Sequence, residues 1–143
     1  MMKNKLVMIM VIMLVSITLV GVIALVVITK FSGDAAAEKE PSAKEIVEAS
    51  VEVPEITTNL ASGDFIKISF TIQGDNKKAK KELEQRSFQV KNIIITELSE
   101  TKSEQLKGKA GKEQFQEKIE ANVNKLMQEG KVEKVYITSS ILQ

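Results

Sequence analysis

The chain has 143 residues, 43% of them hydrophobic, and a formal net charge of +1. It contains no cysteine and no histidine, which excludes disulfides and zinc–thiolate sites and removes the commonest general base and metal ligand. Beyond Lys30, 17 Lys and Arg stand against all 19 Asp and Glu, a net charge of −2. That balance gives no electrostatic case for nucleic acid, and 4% aromatic residues are too few for base-stacking platforms.

Leu6 to Thr29 carries no charge and reads as Leu, Val, Ile, Met and Ala, interrupted only by Ser16, Thr18 and Gly21. At ~1.5 Å per residue this run spans roughly 36 Å, enough for a hydrocarbon core of about 30 Å. Inside lipid every backbone N–H and C=O must be paired within the segment, which a helix does. The core is too long for a cleaved leader, and Ala35-Ala36-Ala37 lies several polar residues beyond it. Ser16, Thr18 and Gly21 make no G-x-x-x-G face. Lys3 and Lys5 precede the helix without acids, which predicts residues 1–5 on the cytoplasmic side and the rest of the chain beyond the membrane.

Residues 30–50 are small, polar and charged, including Ser32-Gly33-Asp34 and Glu38-Lys39-Glu40-Pro41, and are expected to form a linker or stalk, with a short helix over 43–49 as an option. From Val51 the texture changes. Ile56 to Leu60 fits a strand, Ala61-Ser62-Gly63-Asp64 a turn with Gly63 at positive φ, and Phe65–Gln73 a half-buried strand. Ile66, Ile68, Phe70 and Ile72 face one way there, and Lys67, Ser69, Thr71 and Gln73 the other.

Gly74-Asp75-Asn76 ends the strand and caps a helix. Ala79, Leu83, Val90, Ile94 and Leu98 then predict one long amphipathic helix, strained or fully packed at Ile93-Ile94-Ile95. Thr101 to Glu104 has capping-box spacing, and Gly108 and Gly111 punctuate. A second helix carries Phe115, Ile119, Val123 and Leu126 or Met127, with Gly130 placed as a left-handed cap. Val132–Leu142 alternates as a last strand. The order β-β-α-α-β predicts an α+β fold, a small, largely antiparallel sheet with two helices on one face, over 51–143.

Chemistry is sparse. Lys77-Lys78-Ala79-Lys80-Lys81 is the most basic run; it suits anionic lipid or an acidic partner, but such a run is more often the solvated face of a helix beginning, which its alternation with Ala79 and Leu83 fits. Gly108-Lys109-Ala110-Gly111-Lys112 fails the phosphate-loop pattern at Leu106 and Glu113. Glu82 with Glu84 are two apart on a helix and do not face each other, whereas Glu117 with Glu120 share a face among solvent-type neighbours. Both pairs read as surface charge rather than acid/base machinery. No catalytic residue, metal ligand or cofactor site is assigned, and an enzyme is not expected.

The order and spacing of the whole chain resemble the FliL family, flagellar basal body-associated membrane proteins. The resemblance runs through Ile56-Thr57-Thr58-Asn59-Leu60-Ala61-Ser62-Gly63-Asp64-Phe65-Ile66-Lys67-Ile68-Ser69-Phe70, then Glu82-Leu83-Glu84-Gln85-Arg86 and Val90-Lys91-Asn92-Ile93-Ile94-Ile95. It continues through Thr101–Leu106 and Gly111-Lys112-Glu113 and closes on Gly130-Lys131-Val132-Glu133-Lys134-Val135-Tyr136-Ile137-Thr138 and Gln143. Aromatics usual in the family are replaced by Ile137 and Ser140.

The resemblance implies a stomatin-like (SPFH) fold in the bacterial inner membrane. It also implies a homo-oligomeric ring around the MotA/MotB stator at the basal body, supporting stator activation, torque and swimming or swarming motility. Phe65, Arg86, Val90, Ile94 and Tyr136 are the candidates for a subunit or partner interface. The hairpin edge and the first helix are expected to supply it, because the apolar stripe Ala79–Leu98 looks larger than a small sheet needs. The alternatives are an anchored envelope sensor, which needs a ligand pocket, and a basal-body protein independent of the stator.

Overall fold

The computed structural model describes residues 2–36 and 40–143. Residue 1 of the predicted cytoplasmic segment and residues 37–39 of the predicted stalk lie outside the described residues. The chain divides into two compact units, 1–40 and 41–143.

The first unit is helix α1, Met2–Ala36. Its stretch Asn4–Ile28 has a mean hydropathy of 3.1 and is long and apolar enough to cross a membrane. The side chains there are exposed around the whole circumference, so nothing in this unit buries them. The Ser16 hydroxyl donates a hydrogen bond to the Met13 carbonyl at 2.8 Å, which pairs it within the helix.

The second unit begins earlier than the change of texture at Val51 suggests. Helix α2 (Ala43–Glu48) opens on a capping box: Ser42 Oγ accepts the Glu45 N–H at 3.3 Å, and Glu45 accepts the Ser42 N–H at 2.7 Å. Strand β1 runs Ser50–Asn59 and β2 Phe65–Gly74, joined as a hairpin with Gly63 at φ +90°. One extra residue between Val53 and Ile56 makes a bulge at Pro54, which has no N–H for the ladder. That Pro-containing stretch hid the first half of the strand from a periodicity reading.

The predicted single long helix is two. Helix α3 (Lys77–Gln85) and helix α4 (Ser87–Glu100) meet at Arg86, whose φ −94° and ψ 15° leave the helical region. Asn76 caps α3 by accepting the Ala79 N–H at 2.9 Å. The capping box expected at Thr101 does not form: Thr101 donates its hydroxyl to the Glu97 carbonyl, closing α4, and Gln105 accepts the Lys102 N–H at the start of a 3-10 turn, Ser103–Leu106. Helix α5 spans Gly108–Asn124, so Gly108 opens it rather than punctuating.

Gly130 is not a left-handed cap, since positive φ occurs only at Gly63 and Gly108 among the described residues. Its role is close approach. A Cβ there would lie 2.8 Å from that of Ala79 and 2.7 Å from Asp75 Oδ1.

Strand β3 (Val132–Leu142) pairs antiparallel with β2, so the sheet order is β1-β2-β3 with β2 central. Ile66, Ile68, Phe70 and Ile72 are buried as the alternation predicts. They join Leu83, Val90, Ile94, Leu98, Phe115, Ile119 and Val123 in one core cluster. Phe70 and Phe115 rings sit 6.2 Å apart, inside the range of favourable aromatic pairs. The fold is therefore α+β on a three-stranded antiparallel sheet.

Ile94 is fully buried, so Ile94→Ala is expected to destabilise the domain by about 2–5 kcal/mol. Phe88→Ala, at a side chain 72% exposed, should shift stability by less than about 0.5 kcal/mol. Urea unfolding of the detergent-solubilised chain, followed by far-UV circular dichroism, checks both.

Candidate interaction surface

The buried polar groups hold the fold together rather than converge on a reacting point. Glu82 lies on α3 between Ala79 and Leu83 and is 5% exposed. Its carboxylate accepts the backbone N–H of Gln128 at 3.0 Å and of Glu129 at 2.7 Å, and Arg86 Nε lies 2.8 Å from Oε1. The Glu129 N–H holds the Glu82 carboxyl below its ordinary value, with the Gln128 N–H and Arg86 assisting against burial. The surface-charge reading of Glu82 is thereby overturned; its position three residues after Ala79 and four before Arg86, on the flank of the apolar stripe, is the available signal.

Glu97 on α4 makes a second clamp, 2.7 Å from Lys118 Nζ and accepting from Asn122 Nδ2 at 2.8 Å, both on α5. The hydrogen bond to Glu97 raises the Lys118 pKa. Glu120 is raised by burial and by Glu117 and Glu133, and among the described residues no hydrogen-bonded partner makes it an acid/base pair. Among the described residues, no group of three or more His, Cys, Asp or Glu could hold a metal ion.

What the domain offers outward is surface. Beside the bulge at Pro54 lies a largely apolar groove of about 320 Å³ lined by side chains that include Val51, Val53, Pro54, Phe88 and Val90, with Glu52 and Lys91 also at it. Phe88 stands at its rim, 72% exposed. On the other edge, Tyr136 of β3 is 37% exposed, its hydroxyl donating to Gln73 Oε1 at 3.1 Å and Lys134 Nζ lying 5.4 Å from its ring centroid. Phe65 and Ile141 are exposed on the outward face at the far end of the sheet. Gln116 of α5 accepts the Ile137 N–H at 2.9 Å where the β2–β3 register shifts.

Of the five residues singled out in the sequence, Phe65 and Tyr136 are thus available to a partner. Arg86 is half-buried and engaged with Glu82 and Gln89. Val90 and Ile94 are core residues, 3% and 0% exposed, which corrects their reading as interface. The stripe from Ala79 to Leu98 is spent on the sheet. Phe88 was missed because it falls outside that stripe.

A family model for flagellar basal body-associated protein FliL matches residues 50–143, the span of the sheet and helices α3 to α5. The chain belongs to the FliL family. A flagellar protein FliL of Bacillus subtilis (strain 168) is 48% identical over 106 residues, covering 74% of this chain and 76% of that protein. Another, from Aquifex aeolicus (strain VF5), is 26% identical over 93 residues, covering 63% of this chain and 58% of that protein. FliL membership makes the chain a flagellar accessory protein and accords with a domain whose polar interior is structural.

Removing the Glu82 carboxylate strands two backbone N–H groups and Arg86, so Glu82→Ala is expected to lose about 3 kcal/mol at pH 7. Because the folded pKa is depressed, this stabilisation is full above the ordinary carboxylate value of 4.5 and is lost as pH falls through the folded value. Chemical denaturation between pH 7 and pH 3 should show Glu82→Gln with a smaller acid loss than the parent chain.

Proposed function

We propose that this FliL-family chain is a non-enzymatic accessory of the flagellar motor, anchored in the bacterial inner membrane by α1. Its N-terminus is cytoplasmic and its domain extracytoplasmic. It assembles as a homo-oligomeric ring around the MotA/MotB stator and supports stator activation, torque and motility. The observation carrying this reading is the family match over 50–143 in a chain whose N-terminal helix is apolar enough to cross a membrane. The uneven distribution of Lys3 and Lys5 supports the orientation. A single helix provides no ion path, so the domain acts by touching what lies beside it.

The groove beside β1 and the exposed end of β3 lie at opposite edges of the same sheet. Contact between the first on one copy and the second on its neighbour is head-to-tail, the arrangement that closes into rings. The apolar groove also favours a second reading, an anchored sensor holding a small apolar ligand, because its volume falls in the range of ligand sites.

Two measurements separate these. A fluorescent protein fused to the N-terminus should give foci at flagellar bases that disappear when the stator is deleted. Foci that persist favour a structural basal-body role, and a uniform membrane signal contradicts the motor assignment. Charge at the groove rim should break the ring contact: Phe88→Glu is expected to cut cross-linked oligomers several-fold in native membranes while leaving the unfolding midpoint unchanged.

A further inference from the structure

We propose that the lysine cluster Lys77, Lys78, Lys80 and Lys81 docks the tethered end of the domain onto an anionic lipid surface. The proposal rests on the anchor reading of α1. Its first support is placement. The Gly74 N–H donates to the Ala49 carbonyl at 2.9 Å, and Lys77 Nζ lies 3.6 Å from Glu48, so α3 starts beside the point where the chain enters the domain. Helix α1 continues past the apolar span to Ala36, and the second unit begins at Pro41, so few residues of chain separate the two. The hairpin turn, the 3-10 turn and Gln143 cluster at the opposite end of the strands, where Ser103 N–H donates to Ser62 Oγ at 3.0 Å.

The second support is charge. Ala79, Glu82 and Leu83 occupy the inward arc of α3, which leaves the four lysines, with Glu84 as the one acid of the helix beside them, on the outward arc. Lys77 has Glu48 as a partner; Lys78, Lys80 and Lys81 have no acid within 4.0 Å among the described residues. The Asp75 N–H donates to the Lys131 carbonyl at 3.0 Å, but the Lys131 ammonium is paired with Glu133 at 3.2 Å and leaves the charge of this end to the α3 lysines. Glu48 and Glu84 offset only part of four ammonium charges within five residues, which repel one another and oppose the helix macrodipole, and the first turn holds no acid. Headgroup phosphates supply the remainder. Lysines near an anionic leaflet attract it over about a Debye length, and their flexible point charges suit a diffuse layer better than a shaped site. The contact would hold the groove and the sheet edges at a set height above the membrane, where a stator or a neighbouring copy is met.

The chain has no cysteine, so single-cysteine variants of the full chain in nanodiscs provide the test. A donor dye goes on Gln128→Cys, beside α3, or on Glu104→Cys, at the opposite end, with an acceptor on the lipid headgroup. Between neutral discs and discs with about one-third anionic phospholipid, transfer from position 128 should rise about twofold, and it should fall back at 1 M salt, where the Debye length is ~3 Å. Lys78→Glu with Lys81→Glu should abolish the rise, Lys78→Gln with Lys81→Gln should halve it, and Lys109→Gln with Lys112→Gln should leave it intact. Equal transfer in both discs, or a rise that survives charge reversal, overturns the proposal. So does a response to an acidic polypeptide in neutral discs without one to lipid, which makes the partner a protein. Failure of the chain to enter discs at all overturns the anchor reading and the docking with it.

Discussion

The inner row of strand β2 is the constraint on which the rest of the domain depends. Ile66, Ile68, Phe70 and Ile72 are each 0–1% exposed, and β2 is the central strand, paired on both sides. Each of these side chains contributes roughly 1.5–3 kcal/mol on burial, so the row must be covered. The residues packed with it include Leu83 of α3, Val90, Ile94 and Leu98 of α4, and Phe115, Ile119 and Val123 of α5. Because side chains alternate with period two, a one-residue slip of β2 would expose the row and undo the packing of every helix at once. The polar clamps serve the same end. Glu82 ties α3 to the chain between α5 and β3, and Glu97 ties α4 to α5.

Function is consequently displaced to the outside. With Glu82 committed to backbone amides and Arg86, and Glu97 to Lys118 and Asn122, the domain retains an apolar groove at one sheet edge, aromatic and aliphatic side chains at the other, and a lysine face where the chain enters. These are features of a protein that works through contact, in keeping with an accessory family. The edges are also guarded against indiscriminate strand pairing. Pro54 and its bulge interrupt β1, and Gln116 covers an amide of β3. Specific association then depends on side chains such as Phe88 and Tyr136 rather than on open backbone.

Regular periodicity made much of this architecture legible in the amino-acid sequence. The alternation of Phe65–Gln73, the turn at Gly63 and the last strand from Val132 all follow from it, as does the apolar helix. The failures fall where tertiary contacts override local pattern. Arg86 breaks a continuous helical stripe while pairing with Glu82. Gly130 serves a close approach to Ala79 from distant sequence, which no local rule encodes. Val90 and Ile94 looked surplus only because the area of the sheet, lengthened by the hidden half of β1 from Ser50, could not be judged in advance. The groove and Phe88 depend on which side chains of β1 and α4 meet beside the bulge, which no local pattern encodes.

Everything proposed for the outer surface requires the domain to lie beyond the cytoplasm. Labelling of a single cysteine at Glu104→Cys in intact cells, with a small membrane-impermeant maleimide, tests this most directly, since the parent chain supplies no background thiol. The account predicts full labelling without permeabilisation. Labelling that appears only after the membrane is breached would put the domain in the cytoplasm and contradict it.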